Sequence, residues 1–401
     1  MKYVVLLGDG MADYPVDALG GKTPLEAART PNMDRLARCG EMGMARTVPD
    51  GMPPGSDVAN LSVLGYDPKI YYTGRSPLEA LSIGVDLGPD DVAFRCNLVT
   101  LSDEPEYEQK TMIDYSSDEI ETAESRQLVA EIAKRLSRGD ITFYPGISYR
   151  HLMVWHKGPT NGQMTPPHDI PGRMVGDYLP TGAGADILRT LMIESSSFLP
   201  DHAVNQARVE RGVRPANSIW LWGQGKKPAL VSFKAKYGLT GSVISAVDLT
   251  KGLGIGAGLD SIDVPGATGN VHTNYPGKAE AAIRELKNGK DFVYIHIEAP
   301  DESGHRGELE NKILSIEDID RQVLGTLLEK LPALGDFRIL LMPDHPTPLS
   351  VRTHVSDPVP FVLYQSGTPE IRELGYTEAN ARSTGLVFEE AHRLMDRLLA
   401  R

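Results

Sequence analysis

Residues 291–305 read DFVYIHIEAPDESGH. The first seven, Asp291–Ile297, are almost continuously apolar and rich in Val, Ile and aromatic residues. That is the pattern of a strand buried on both faces, as in a parallel sheet. The chain then changes character at once, setting Asp301 and His305 four residues apart with Gly304 between them. Two other stretches repeat the arrangement. Lys2–Gly8, KYVVLLG, runs into Asp9 in GDGMAD, and Phe337–Met342, FRILLM, runs into Asp344 and His345 in MPDHPTP. Helical patterns lie between, at Gly277–Leu286 and Leu309–Leu331. Strands alternating with helices predict an α/β sheet. In a parallel sheet the carboxyl ends of the strands share one edge, and open α/β sheets bind ligands there. The three strand ends are therefore expected to converge.

His354, in VRTHVSDPVPF, joins the convergent set just before a further strand candidate, Pro360–Tyr364. Asp9, Asp301, His305, Asp344, His345 and His354 then offer oxygen and imidazole donors with no thiolate. Borderline divalent cations such as zinc and manganese accept that mixture. Six ligands exceed what one cation with an open position needs, so two cations are predicted. Gly304 is expected to bend the backbone so that Asp301 and His305 turn the same way. Pro343, Pro346 and Pro348 frame the Asp-His pair and lower the entropy cost of holding it. His296, in mid-strand, reads as an ordinary core histidine.

Ser56 follows a Pro-Pro-Gly turn in PPGSDVANLSVLGYD and opens a helical pattern. A helix N-cap serine would be an ordinary structural residue there. A helix N-terminus also attracts phosphoryl groups, and a serine beside a divalent cation can attack phosphorus. With a metal-rich edge elsewhere in the chain, Ser56 is the predicted nucleophile. Two other motifs fail on spacing. GGKTP at Gly20–Pro24 lacks the upstream glycine of a phosphate-binding P-loop, and GLGIGA at Gly252–Ala257 lacks the acid-tipped second strand of a dinucleotide site.

The chain has 401 residues, long enough for two domains or one large domain carrying an insertion. A net charge of -13 argues against nucleic-acid partners, which want a basic face. An anionic small substrate remains compatible, because bound metal can supply local positive charge. Cys39 and Cys96 are in no metal-type spacing and read as free thiols of a reducing compartment. No run approaches the ~20 apolar residues of a membrane span, and no signal peptide is evident. The expectation is a cytoplasmic protein.

From about Leu81 to Val213 the pattern differs, with strands at DVAFRCNLVTL and ITFYPGISYRHLMVWH and helices over Ser116–Leu136 and Gly184–Arg211. This predicts a smaller α+β domain, 81–213, inserted into a discontinuous domain, 1–80 with 214–401. Lys157–Pro180 is read as a long loop within the insert.

GDGMAD, PPGSDVANLSVLGYDP, YYTGRSPLEA, EAPDESGH and MPDHPTP with the following RTH and DPVPF resemble the cofactor-independent phosphoglycerate mutases in their archaeal-type branch, within the alkaline phosphatase superfamily. The resemblance spans nearly the whole chain and is tightest at the serine and metal motifs. It implies an alkaline-phosphatase-like three-layer α/β/α core with a mostly parallel sheet, plus the inserted α+β domain acting as a lid over the substrate. By resemblance, Ser56 becomes a phosphoserine while 3-phosphoglycerate and 2-phosphoglycerate interconvert in glycolysis and gluconeogenesis. Asp301, His305 and His354 match the ligands of one manganese, and Asp9, Ser56, Asp344 and His345 those of the other, with zinc, cobalt or magnesium as alternative ions. No 2,3-bisphosphoglycerate is needed. Arg150, His151, His168, Asp169, Arg208 and Arg211 are the substrate-binding candidates in the insert, and Lys234, Lys236 and Lys251 are candidates for a substrate lysine. The metal motifs fit equally a phosphatase, or a phosphomutase of another metabolite. The insert's imidazole and guanidinium groups favour the mutase. Sequence leaves the oligomeric state open.

Overall fold

A computed structural model describes residues 1–400. Thirteen strands form among them: β1 (Lys2–Gly8), β2 (Glu41–Ala45), β3 (Asp91–Leu101), β4 (Met112–Asp114), β5 (Ile141–Ile147), β6 (Arg150–His156), β7 (Ser218–Lys226), β8 (Gly241–Ile244), β9 (Asp260–Ile262), β10 (Phe292–Ile297), β11 (Phe337–Met342), β12 (Val359–Gln365) and β13 (Val387–Phe388). They divide between two compact units, Met1–Tyr72 with the chain from Ala229 onward, and Thr73–Pro228. The second unit thus starts before the expected Leu81 and ends after Val213. It takes in the helix Ser76–Ser82 and the whole of β7.

The first unit is built on an eight-stranded sheet in the order β13-β2-β12-β11-β1-β10-β8-β9. Only β12 runs against its neighbours, so the expected mostly parallel α/β sheet is what forms. The apolar runs that predicted strands are its centre: β1, β10 and β11 pair with Leu7 opposite both His296 and Met342. That register brings the residues after the three strands to one edge. On one face Val4, Leu6, Val293, Ile295, Ile339 and Leu341 pack beneath the helices Pro31–Cys39 and Tyr275–Lys287. Full burial of each such side chain contributes roughly 1.5–3 kcal/mol. On the other face lies the helix Ser56–Val63, and the Tyr294 hydroxyl donates to Asn60 on it at 2.6 Å.

The helical stretch expected over Leu309–Leu331 is real but uneven. An α-helix, Leu309–Asp318, widens over Ile319–Leu324, where Gly325 N–H reaches back to Asp320. The widening aims the Asp320 carboxylate at the N-terminus of Pro31–Cys39, where Met33 and Asn32 N–H donate to it at 2.7 and 3.3 Å. Thr30, the residue before that helix, makes no side-chain cap of its own. Asp320 therefore satisfies donors that a cap would otherwise take. GLGIGA forms the end of the helix Asp248–Gly256 and its C-cap, Ala257, not a nucleotide loop. No helix of the described residues is long and apolar enough to cross a membrane.

The second unit is an antiparallel sheet in which β3 is central and pairs with β6, β7 and, at its end, β4, while β5 pairs with β6. Its core joins one sheet face to the helices Thr122–Leu136 and Ala185–Phe198. Two helices differ from expectation. The first starts at Thr122, not Ser116, because Ser117, Asp118 and Glu119 take positive φ in a turn gathered by Asp114, whose carboxylate accepts from Ser116 and Asp118 N–H. The stretch Gly184–Arg211 breaks into Ala185–Phe198 and Ala203–Glu210. Pro200 cannot donate, and His202 Nδ1 accepts from Val204 N–H to start the next helix. ITFYPGISYRHLMVWH is a hairpin of two strands, turning at Ser148, where φ is 55°.

Candidate active site

Asp9 leaves β1 and is buried. The next residue, Gly10, has φ 60°, and a Cβ there would lie 2.6 Å from Asp301 Oδ1. Only glycine allows the loop that carries Asp9 to come so close to the helix that carries Asp301. Asp301 and His305 sit on a regular helix, Ala299–Arg306, whose i,i+4 spacing alone puts both on one face. The expected bend at Gly304 is absent. Gly304 serves instead to admit Thr347, whose carbonyl would be 2.5 Å from an added Cβ.

His305 Nε2 is 3.3 Å from Asp301 Oδ2, and His354 Nε2 is 3.4 Å from Asp301 Oδ1. The two imidazole Nε2 atoms face each other at 2.9 Å. Their Nδ1 atoms contact carbonyls, His305 that of Arg352 at 3.0 Å and His354 that of Pro54 at 3.3 Å. A carbonyl only accepts, so each ring carries its proton on Nδ1 and turns a lone pair inward from Nε2. Two such lone pairs at that distance call for a cation or a proton between them. Although burial works to lower it, the His305 imidazole is held up at about 9 by the Asp301 carboxylate.

The second cluster follows the same logic. Thr347 Oγ1 gives its proton to Asp301 Oδ1 and lies 3.3 Å from His345 Nδ1, which leaves the lone pair of His345 on Nε2. That atom is 3.0 Å from Ser56 Oγ, 3.5 Å from Asp9 Oδ1 and 3.4 Å from Asp344 Oδ2. Burial keeps His345 far below the usual imidazole range, so it is neutral. Asp344 is pinned from three sides, by Gly10 and His345 N–H on Oδ1 and by Asn60 Nδ2 on Oδ2 at 2.8 Å. Ser56 is the first residue of its helix. The N-cap is Gly55, and no side-chain cap bond forms, so the serine hydroxyl is not spent on capping.

Three buried carboxylates share this space. Burial, then Asp344 and Asp301, push the Asp9 carboxyl well above the ordinary range, and burial raises Asp344 too. Asp301 goes the other way, because His354 and His305 outweigh its burial. Asp9 Oδ1 is buried without a hydrogen-bond partner. Asp301, His305 and His354 bring donor atoms within 4.8 Å of one another, as do Asp9, Asp301 and His345. The donor chemistry, the orphaned oxygen and the unrelieved repulsion all fit divalent cations.

The model of the 2,3-bisphosphoglycerate-independent phosphoglycerate mutase family matches residues 37–205. A Geobacter sulfurreducens protein named as a probable mutase of that kind is 55% identical over 402 residues, covering all of both chains. The chain belongs to the 2,3-bisphosphoglycerate-independent phosphoglycerate mutase family. A Methanothrix thermoacetophila member is 51% identical, again over all of both chains. Among solved structures, a Pyrococcus horikoshii protein matches with TM-score 0.81 and 30% identity, over 99% of this chain and 96% of that one. The cofactor-independent phosphoglycerate mutase of Thermoplasma acidophilum matches with TM-score 0.62 and 29% identity, over 100% and 99%.

Of the residues that this family resemblance suggested for substrate in the second unit, Arg208 and Arg211 both bind the Glu124 carboxylate, and Arg208 also donates to the carbonyls of Ser117 and Arg214. They brace the loops around Thr122–Leu136. His151 is buried opposite Cys96, its Nδ1 accepting from Gly146 N–H. Burial, reinforced by Arg95, holds it down at about 3. Arg150 lies across β3 from Asn97 and sits over the Tyr149 ring. His168 packs edge-on to Trp222 and Tyr115, with Asp169 beside it. Of the lysines, Lys236 donates to the Gly65 carbonyl and Lys251 pairs with Asp263.

Sequence reasoning missed Arg95, Arg75 and Glu79 here. Directly opposite residues of an antiparallel pair share a face, so Arg95, Asn97, Arg150 and Trp222 lie together. Glu79 Oε1 takes Arg95 Nη1 at 2.5 Å and Arg75 Nε at 3.0 Å. Despite its burial, Arg95 and Arg75 hold Glu79 below its usual range. One carboxylate thus serves two guanidiniums, with a third, Arg150, nearby. GRSPLEA already carried Arg75 and Glu79 at helical i,i+4 spacing, whereas nothing marked Arg95 inside its apolar strand. In the first unit the misses are Asn60, Thr347 and His296, whose Nε2 is 2.9 Å from Asp9 Oδ2.

Proposed function

We propose that the chain interconverts 3-phosphoglycerate and 2-phosphoglycerate through a phosphoserine at Ser56, with two divalent cations in the carboxylate and imidazole clusters. The observation that carries this is the placement of Ser56. Its hydroxyl stands free of capping duty at a helix N-terminus, 3.0 Å from a neutral imidazole of the metal-fitting set. Asp301, His305 and His354 would hold one cation, and Asp9, Asp344 and His345, with Ser56, the other. The cations supply charge neutralisation for the phosphoryl oxygens and make the serine proton easier to lose. Manganese is the ion we expect, with zinc, cobalt and magnesium as the alternatives to test.

Ser56 Oγ attacks phosphorus in line, the P–O bond to the 3-oxygen of the substrate breaks, and that oxygen takes a proton. Glycerate then presents its 2-hydroxyl, which loses a proton as it takes the phosphoryl group back and frees Ser56. No net proton or water is consumed, and configuration at phosphorus is retained after two displacements. The positive end of the helix Ser56–Val63 favours the phosphoryl group. In the second unit, taken by itself, Arg75, Arg95 and Arg150 around Glu79, beside Trp222, suit an anion.

The test is to supply the metal-loaded chain with 3-phosphoglycerate, without 2,3-bisphosphoglycerate, and follow 2-phosphoglycerate through enolase beside free phosphate. Isomer without phosphate is the expected result. Phosphate without isomer would make the chain a phosphatase and overturn the proposal.

A further inference from the structure

His296 is fully enclosed in β10, and neither of its nitrogens is idle. Nε2 lies 2.9 Å from Asp9 Oδ2, and Nδ1 lies 3.2 Å from Ser245 Oγ. Ser245 follows directly on β8, whose register with β10 puts Ile244 opposite Ile295 and so brings Ser245 beside His296. Ser245 Oγ already accepts a proton from Val247 N–H at 3.0 Å. A hydroxyl has two lone pairs and one proton, and the arrangement that gives the Ser245 proton an acceptor at this contact is donation to His296 Nδ1. The imidazole proton is then on Nε2 and points at Asp9.

We propose that His296 is a positioning residue for the metal site: in the tautomer set by Ser245, it holds Asp9 Oδ2 as a hydrogen-bond acceptor and leaves Asp9 Oδ1 as the oxygen that meets the cation. The two oxygens of Asp9 differ as this requires. Oδ2 has the imidazole donor, while Oδ1 is buried with no partner and lies on the His345 side at 3.5 Å. A free carboxylate in a pocket of like charges would swing between orientations. One donor from behind removes that freedom before the cation arrives, as outer partners of metal ligands generally do.

The rival is that His296 is itself a ligand, since its donor atom and those of Asp9 and Asp344 lie within 4.8 Å of one another. Coordination through Nε2 would move the proton to Nδ1. Ser245 Oγ would then receive protons from both Val247 and His296, and its own proton would lose its acceptor.

The inference rests on Asp9 being a ligand, and the experiment separates the two claims. Manganese binding to the full chain, stripped by chelator, is measured by calorimetry, with bound metal counted by elemental analysis at saturation. The variants are Asp9→Ala, His296→Leu, His296→Gln and Ser245→Ala, each checked for a cooperative melt. Asp9→Ala is expected to abolish one of two sites. His296→Leu should weaken that site about 10- to 100-fold, the usual range for an outer-shell partner, with the full complement of metal still bound at saturation. His296→Gln, whose amide can donate from a similar position, should recover most of the affinity. Ser245→Ala should weaken the site by a smaller factor.

Wild-type affinity in His296→Leu, with Asp9→Ala defective, overturns the inference alone. Loss of one metal per chain in His296→Leu makes His296 a ligand and also overturns it. If Asp9→Ala binds metal normally, the reading of Asp9 itself fails. Should His296→Leu not fold, Ser245→Ala decides, unchanged affinity counting against the tautomer argument.

Discussion

Lys312 carries no exposed surface, yet it is a lysine on the helix Leu309–Asp318. Its Nζ donates to Asp13 Oδ2 at 2.7 Å and to the Thr347 carbonyl at 2.8 Å, and lies 3.5 Å from the Ala12 carbonyl. Asp13 follows the Asp9 turn, and Thr347 follows Asp344 and His345. One ammonium thus ties together the two loops that supply four of the proposed ligands. Replacing it in Lys312→Met keeps about the same side-chain volume but strands a buried carboxylate. Breaking a buried pair in this way typically costs about 3–5 kcal/mol. Asp13 retains N–H donors from Tyr14 at 2.7 Å and Leu349 at 3.2 Å, which favours the lower half of that range. The Thr347 carbonyl, left without its donor, adds about 1 kcal/mol to the loss. The expected total is about 4 kcal/mol, read as a shift of the urea midpoint at constant slope. Manganese affinity should fall as well, because Thr347 also orients Asp301 and His345. The double variant Lys312→Met with Asp13→Asn should lose less than the sum of the two single variants, since the pair is coupled. A destabilisation below about 1 kcal/mol, the level of an exposed ion pair, together with unchanged metal affinity, would refute the bracing argument.

Ser56→Ala should lower mutase turnover by at least ~10³-fold, the scale for removing a nucleophile, and abolish any phosphate adduct seen by intact mass spectrometry on incubation with substrate. Turnover near wild type would remove Ser56 from the mechanism. Metal uptake by the stripped chain near neutral pH should release protons, because His305 holds its proton up to about 9 and must lose it to coordinate. Calorimetry in buffers of different ionisation enthalpy reads this directly, and affinity should rise as pH approaches 9. Glu378 is buried, and burial raises its carboxyl from 4.5 to about 7. The folded chain therefore binds more protons than the unfolded one between those values, so this group's contribution to stability is full below 4.5 and is lost as pH rises to about 7. Glu378→Gln, which keeps an acceptor for the Thr23 hydroxyl, should match wild type near pH 4.5 and exceed it above pH 7 by up to about 3 kcal/mol. Equal stability of the two at every pH would show that Glu378 is not strained.

What was legible in the chain was what depends on strand ends. Asp9, Asp301 and the Asp344–His345 pair could be read because continuous apolar runs announce doubly buried parallel strands, and parallel strands must finish at one edge. Ser56 was legible only as a choice between cap and nucleophile. The hydrogen bonds remove the first of these, since Gly55 holds the cap position and Ser56 Oγ faces His345. The second unit was less readable. ARVERGVR looks like an anion site because its guanidiniums are dense, but density is a one-dimensional property. Glu124, some eighty residues away in sequence, neutralises Arg208 and Arg211 once the chain folds. Arg95 shows the reverse. It stands alone in an apolar strand, and only the pairing of β3 with β6 and β7 brings it beside Arg150 and Trp222.

His296 marks the limit most clearly. The continuous apolar run says that it is buried, and a buried histidine in a strand is usually a satisfied core residue. That inference is sound as far as it goes, since both ring nitrogens are indeed satisfied. What it lacks is the identity of the partners, which the sheet register decides. Slide β10 by one residue against β1 and the histidine would leave the face that bears Asp9. The observed pairing of His296 with Leu7 puts it one residue short of the strand end, where the carboxylate of Asp9 folds back within reach. The alignment of strands that gathers the proposed ligands thus also supplies Asp9 with its donor, so this contact is a consequence of the sheet register.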